Sequence, residues 1–101
     1  MQHKQKENII IRVYGLLIEN ENILLSDEYL FDMKMTKFPG GGLEPGEGSI
    51  NCLKREFIEE CGQEIEIIDH FYTTDFYQKA MFFENRQLIC IYYTVKFKTR
   101  R

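Results

Sequence analysis

Gly40-Gly41-Gly42-Leu43-Glu44-Pro45-Gly46-Glu47-Gly48-Ser49-Ile50-Asn51-Cys52-Leu53-Lys54-Arg55-Glu56-Phe57-Ile58-Glu59-Glu60-Cys61-Gly62-Gln63 is the stretch on which the chain turns. Just before it, Pro39 fixes its own φ and biases Phe38 towards extended geometry, and three successive glycines open dihedrals closed to other residues. Pro45-Gly46 and Gly48 are further breakers, so residues 39–48 read as a compact loop. Ser49 is a reasonable N-cap and Gly62 a reasonable C′ residue, which brackets a helix. At about 100° per residue, Ile50, Leu53, Phe57 and Cys61 fall on one stripe, which should face a core.

Glu56, Glu59 and Glu60 lie on a neighbouring face, related by steps of three and four. Such carboxylates repel one another by a few tenths of a kcal/mol (roughly 0.2–0.5) per exposed pair, and Arg55, four residues before Glu59, relieves part of this. Alone, they read most simply as a solvated acidic face. Beside a glycine loop they acquire a second reading, as hard oxygen ligands for Mg²⁺ or Mn²⁺ completed by backbone carbonyls. Cations held this way position phosphate oxygens and activate water.

Loop and helix together resemble the Nudix box, the signature G-x5-E-x7-R-E-U-x-E-E-x-G-U of the Nudix hydrolase superfamily, where U is bulky and apolar. Gly41, Glu47, Arg55, Glu56, Glu59, Glu60 and Gly62 match every glycine and charged position, Phe57 is an acceptable U, and Gln63 departs from the pattern at the last U. The resemblance implies an α/β (α+β) fold, a mixed β-sheet with the box helix packed on it. It implies that Glu56, Glu59 and Glu60 bind Mg²⁺ or Mn²⁺ with the carbonyl of Gly40, while Arg55 and Glu47 hold the glutamates in register. Glu56 or Glu59 could also help deprotonate the attacking water. Gly40, Gly41 and Gly42 would meet the substrate, a nucleoside diphosphate linked to another moiety.

Composition bounds the rest. The chain of 101 residues makes one domain, expected over residues 8–101 after a polar tail at residues 1–7. A net charge of −3 gives no general attraction for nucleic acid or anionic membrane, so a small nucleotide-type substrate, reached through cations, is the expected partner. Cys52, Cys61 and Cys90 are odd in number and too scattered for a zinc motif; they suit a reducing cytoplasm. Neither a signal peptide nor an apolar run of membrane-spanning length is visible.

Ile9 to Ile18 reads as a long buried strand, with Gly15 marking a bulge or a close backbone approach. Residues 19–22 form a turn and Ile23 to Leu25 return as hairpin partner. Residues 27–34 are ambiguous, and Met35 to Phe38 make a short strand. After the helix, Glu64 to Thr73 and Gln87 to Lys98 read as strands, joined through aromatic-rich segments and a turn at residues 84–86. Tyr72, Phe76, Tyr77, Phe82 and Phe83 are core or sheet aromatics, or else stack on a nucleobase. Arg12, a lone cation in an apolar strand, is a candidate for a substrate phosphate or a sheet-edge ion pair. Asp75 and Glu84 are candidates for a further metal-binding carboxylate.

Nudix domains are longer, and the resemblance stops short of the C-terminal strand and helix. A sheet lacking that cover would expose an apolar face, from which a homodimer is expected. Two other roles stay open beside the hydrolase: a nucleotide- or ADP-ribose-binding sensor without turnover, which has no need of all three glutamates, and an inactive truncated domain.

Overall fold

Strand β1 (Asn8–Glu19) runs through the middle of the sheet and pairs with three other strands. The computed structural model describes residues 8–30, 32–80 and 85–98, with the side chain of Leu30 left out. Along one edge β1 pairs in parallel with β7 (Arg86–Phe97), from Asn8↔Arg86 to Leu17↔Val95. On its other edge it carries two short antiparallel partners, β2 (Asn22–Ile23) and β5 (Gly40–Gly42). Antiparallel β6 (Ile65–Thr73) flanks β7 and completes a five-stranded mixed sheet. β3 (Ser26–Leu30) and β4 (Met33–Lys37) form a separate antiparallel hairpin over the ambiguous residues 27–34.

The β1–β2 connection is a two-residue turn, Asn20-Glu21, with both residues at positive φ (51° and 66°). That is the twist a tight hairpin needs, and Asn tolerates it well. The single helix among the described residues, α1, spans Ser49–Cys61 and ends at Gly62, whose φ of 69° lets its N–H reach back to the Ile58 carbonyl.

Two expectations for the helix need correction. The N-cap is Gly48, without a side-chain cap, and Ser49 is already helical; its hydroxyl instead hydrogen-bonds Tyr93 on β7 at 2.7 Å. The buried stripe is Cys52, Leu53 and Phe57, while Ile50 is 40 % exposed. The helix is rolled so that Cys52 meets the Gly42 carbonyl at 3.4 Å, which turns Ile50 outwards.

Val13, Leu17, Cys52, Leu53, Phe57, Ile65 and Val95 form the core between helix and sheet. Gly15 is a close approach rather than a bulge: a Cβ there would lie 2.7 Å from the Phe57 ring. Phe57 is fully buried and has nowhere to retreat. The opposite face carries Arg12, Tyr14, Cys90, Tyr92 and Tyr72, with Tyr14 stacked on Tyr92 at 5.5 Å between centroids. Phe76 and Tyr77 are largely exposed. Phe82, Phe83 and Glu84 lie outside the described residues.

Candidate active site

The site forms where β5 and α1 come together. Gly40-Gly41-Gly42 pairs with Tyr14, Val13 and Arg12 of β1, and the pairing is extended by Gly15 N–H to Pro39 C=O and Leu43 N–H to Ile11 C=O, both 2.9 Å. Glycine is needed here for space. A Cβ on Gly40 would lie 2.0 Å from the Val13 carbonyl oxygen, and one on Gly41 2.2 Å from Glu56 Oε2. The Glu56 carboxylate thus sits directly over the Gly41 backbone. Gly42 has open space around it.

Between strand and helix, Glu44-Pro45-Gly46-Glu47 closes a turn with Gly46 at φ 89°, and Glu47 N–H donates to Glu44 C=O at 3.1 Å. Pro second and a positive-φ Gly third suit a type II turn. The turn aims the Glu47 carboxylate at the helix. There it accepts Arg55 Nε at 2.6 Å and Nη2 at 3.0 Å, a two-pronged pair, and also the Glu44 N–H at 3.0 Å.

Arg55 spends its remaining donors on the other carboxylates. Nη1 donates to Glu56 Oε2 at 3.1 Å and to Glu59 Oε2 at 3.3 Å, and Nη2 to the Gly42 carbonyl at 3.2 Å. The hydrogen bonds from Arg55 hold the Glu47 carboxyl down to about 2, and Glu47 in turn raises Arg55 further above its ordinary value. Cys52, beneath this network, has its thiol pushed up to about 11 by burial, which makes it a packing residue and not a nucleophile.

Glu60 stands apart from Arg55. Its oxygen lies 4.0 Å from Lys37 Nζ, and the same ammonium reaches the Gly40 carbonyl at 3.5 Å and Glu28 at 3.2 Å. Partial burial raises the Glu60 carboxyl above the usual range, and the pull of Lys37 in the other direction does not cancel it.

The structure thus gathers Glu47, Arg55, Glu56 and Glu59 into one network over the glycine strand, with Glu60 and the Gly40 carbonyl beside it. Among the described residues no three His, Cys, Asp or Glu side chains already converge closely enough to hold one ion. Glu56 and Glu59 point to Arg55, and Glu60 to Lys37. The donor set nevertheless fits a hard divalent cation: carboxylates and a carbonyl, with one ammonium already seated against Glu60 and Gly40. Glu56, Glu59, Glu60 and the Gly40 carbonyl are the groups that would hold it.

Arg12 is partnered within the sheet: its Nε donates to Tyr14 Oη at 2.7 Å and its guanidinium lies 5.6 Å from the Tyr14 ring centroid. Asp75 accepts a hydrogen bond from the Tyr72 hydroxyl at 2.9 Å and makes no ion pair with the site. The sequence reading missed Lys37 and Glu28. Their role comes from the β3–β4 hairpin, whose register puts Lys37 opposite Ser26 and so on the same face as Glu28. A lone lysine three residues before the glycine run was the only trace of it.

No helix among the described residues is long and apolar enough to cross a membrane. No curated protein matches the sequence. Among solved structures, the E. coli ORF135 protein is 23 % identical, with a TM-score of 0.75 over 87 % of this chain and 61 % of its own. A NUDIX hydrolase from Nitrosomonas europaea is 18 % identical, with a TM-score of 0.78 over 91 % of this chain and 61 % of its own. A MutT protein from Methanosarcina mazei Go1 is 24 % identical, with a TM-score of 0.70 over 90 % of this chain and 65 % of its own. The chain therefore spans less than two thirds of the length of these structures, and at such identities the likeness is one of fold. The NUDIX domain itself matches residues 10–100, nearly the whole chain, and with the loop, helix and carboxylates arranged as above the protein belongs to the NUDIX family.

Proposed function

We propose that the chain is a hydrolase that uses Mg²⁺ or Mn²⁺ to cleave the diphosphate linkage of a nucleoside diphosphate joined to another moiety. The observation that carries this reading is the Arg55–Glu47 clamp. Together with the bond from Arg55 to the Gly42 carbonyl, it ties a helix bearing Glu56, Glu59 and Glu60 to a strand of three glycines, the last of which, Gly42, has open space beside it. Bound among those carboxylates and the Gly40 carbonyl, the cation would neutralise charge on phosphate oxygens and sharpen a water molecule as nucleophile.

The chain's own residues supply position. Glu47 fixes the guanidinium of Arg55, and Arg55 sets the rotamers of Glu56 and Glu59. A site held this way reorganises little during reaction, which is where electrostatic catalysis gains most. Glu56 and Glu59 are both candidates for the base. Arg12, on the opposite sheet face with the tyrosines, would meet a remote part of the substrate, a phosphate or the nucleoside. The three cysteines are unbridged, which suits a cytoplasmic setting. Exposed Phe71, Phe76 and Tyr77 support a homodimer, which sedimentation velocity would detect.

The test is a hydrolysis screen with Mg²⁺ and then Mn²⁺, with products identified by mass. It would span ADP-ribose, NADH, diadenosine polyphosphates, nucleotide sugars, and canonical and oxidised nucleoside triphosphates. Turnover by the unaltered chain, falling about a hundredfold or more in Glu60→Gln, is expected. Binding of these ligands without turnover would replace the hydrolase with a sensor. Neither binding nor turnover would leave an inactive domain.

A further inference from the structure

Lys37 lies at the end of β4 with its side chain only 18 % exposed. Four groups surround its ammonium. Glu28 is at 3.2 Å, the Gly40 carbonyl at 3.5 Å and Glu60 at 4.0 Å, and the Tyr14 ring centroid lies 5.7 Å away. Two of these, the Gly40 carbonyl and Glu60, belong to the donor set described above for the divalent cation. A lysine ammonium and a divalent ion cannot share the same oxygens at contact distance, since like charges this close repel strongly in a partly buried site.

We propose that Lys37 is an internal counter-cation: it holds Glu60 and the Gly40 carbonyl while no metal is bound, and it must be expelled for a divalent ion to enter. This rests on the metal-binding reading of the site. Its nearest partner, Glu28, is on the same hairpin face and outside that donor set, so the ammonium has a carboxylate to withdraw to. Metal entry is thereby coupled to the β3–β4 hairpin, which belongs to neither the sheet nor the helix. The long, weak contacts suit the role. None is shorter than 3.2 Å, and an ammonium presents a point charge on a flexible stem, without the planar fork that locks Arg55 in place.

The experiment is a Mn²⁺ titration followed by electron paramagnetic resonance on the unaltered chain, Lys37→Met and Lys37→Arg. Removal of the competing charge should tighten Mn²⁺ binding about fivefold in Lys37→Met, the size of one partly exposed ion pair, while Lys37→Arg, which keeps the charge on a fork that is harder to withdraw, should bind Mn²⁺ no more tightly than the unaltered chain. Unchanged or weaker binding by a folded Lys37→Met overturns the proposal and leaves the metal site standing. If the unaltered chain binds no Mn²⁺, the metal site fails and this proposal with it. Should Lys37→Met not fold, the lysine side-chain Cε resonances of the unaltered chain decide. A Lys37 signal that shifts on addition of Mg²⁺ supports displacement, and one that stays in place refutes it.

Discussion

The carboxylates of the box helix are held in two different ways. On one side, Arg55 grips Glu47, Glu56 and Glu59 through a planar fork, with its shortest contact at 2.6 Å and a backbone carbonyl filling the remaining direction. On the other, Lys37 touches Glu60 and Gly40 at 3.5–4.0 Å from a hairpin outside the main sheet. Guanidinium geometry makes the first a scaffold; a single movable charge makes the second a placeholder. The same need, to neutralise acidic groups crowded on one helix, is met once by a fixed part and once by a replaceable one.

The contrast breaks most visibly at Arg55. Arg55→Met keeps the length of the side chain but releases three carboxylates at once. We expect kcat/KM for whichever substrate the screen identifies to fall about 10- to 100-fold, with metal affinity reduced as well, the usual cost of losing a group that orients ligands. Activity within about twofold of the unaltered chain, well short of that loss, would mean that the fork is surface decoration.

The glycine strand offers a sharper version. Gly41→Ala drives a methyl group into the Glu56 carboxylate, which is the mobile end of a side chain and can move away. The fold should survive, with circular dichroism unchanged, while turnover drops about tenfold through loss of one positioned carboxylate. Gly42→Ala meets nothing within 4 Å, so circular dichroism should again be unchanged, and any loss of turnover should be smaller than in Gly41→Ala because no carboxylate is displaced. Equal losses from both variants would show that the strand and not Glu56 is being disturbed.

The smallest effect is on acid stability. The Glu47 carboxyl is lowered from an ordinary 4.5 to about 2, chiefly by the hydrogen bonds from Arg55. Its contribution is present above pH 4.5 and is lost as the pH falls through about 2, because the unfolded chain takes up that proton first. Thermal melts of the unaltered chain should therefore fall over this window more steeply than those of Glu47→Gln. Parallel acid limbs would mean that the pair contributes nothing to folding.

Much of the site could be read before the fold because its information is local. Seven glycine and charged positions recur at set spacings, and the loop and helix they demand follow from glycine dihedrals and helical periodicity. The long strands were legible for the same reason, as runs of β-branched and aromatic residues. What escaped depends on contacts between distant elements. Ser49 has the chemistry of an N-cap but meets Tyr93 across the core. Ile50 has the periodicity of a core residue but is turned outwards by the roll that buries Cys52. Lys37 and Glu28 carry no motif, and only the hairpin register joins them to Glu60. The metal-binding roles of Glu56, Glu59, Glu60 and Gly40 rest on the resemblance and on donor chemistry, and the titration above tests them.

The parallel pairing of β1 with β7 also orders events in time. During synthesis β1 leaves the ribosome first, and β2, β5 and α1 can begin to assemble around it while its longest edge is still open. That edge closes only when residues 86–97 emerge, so the glycine strand acquires a rigid backing late. Until then an apolar strand stands with unpaired amides, the interval in which a nascent chain is most exposed to aggregation and to chaperone capture.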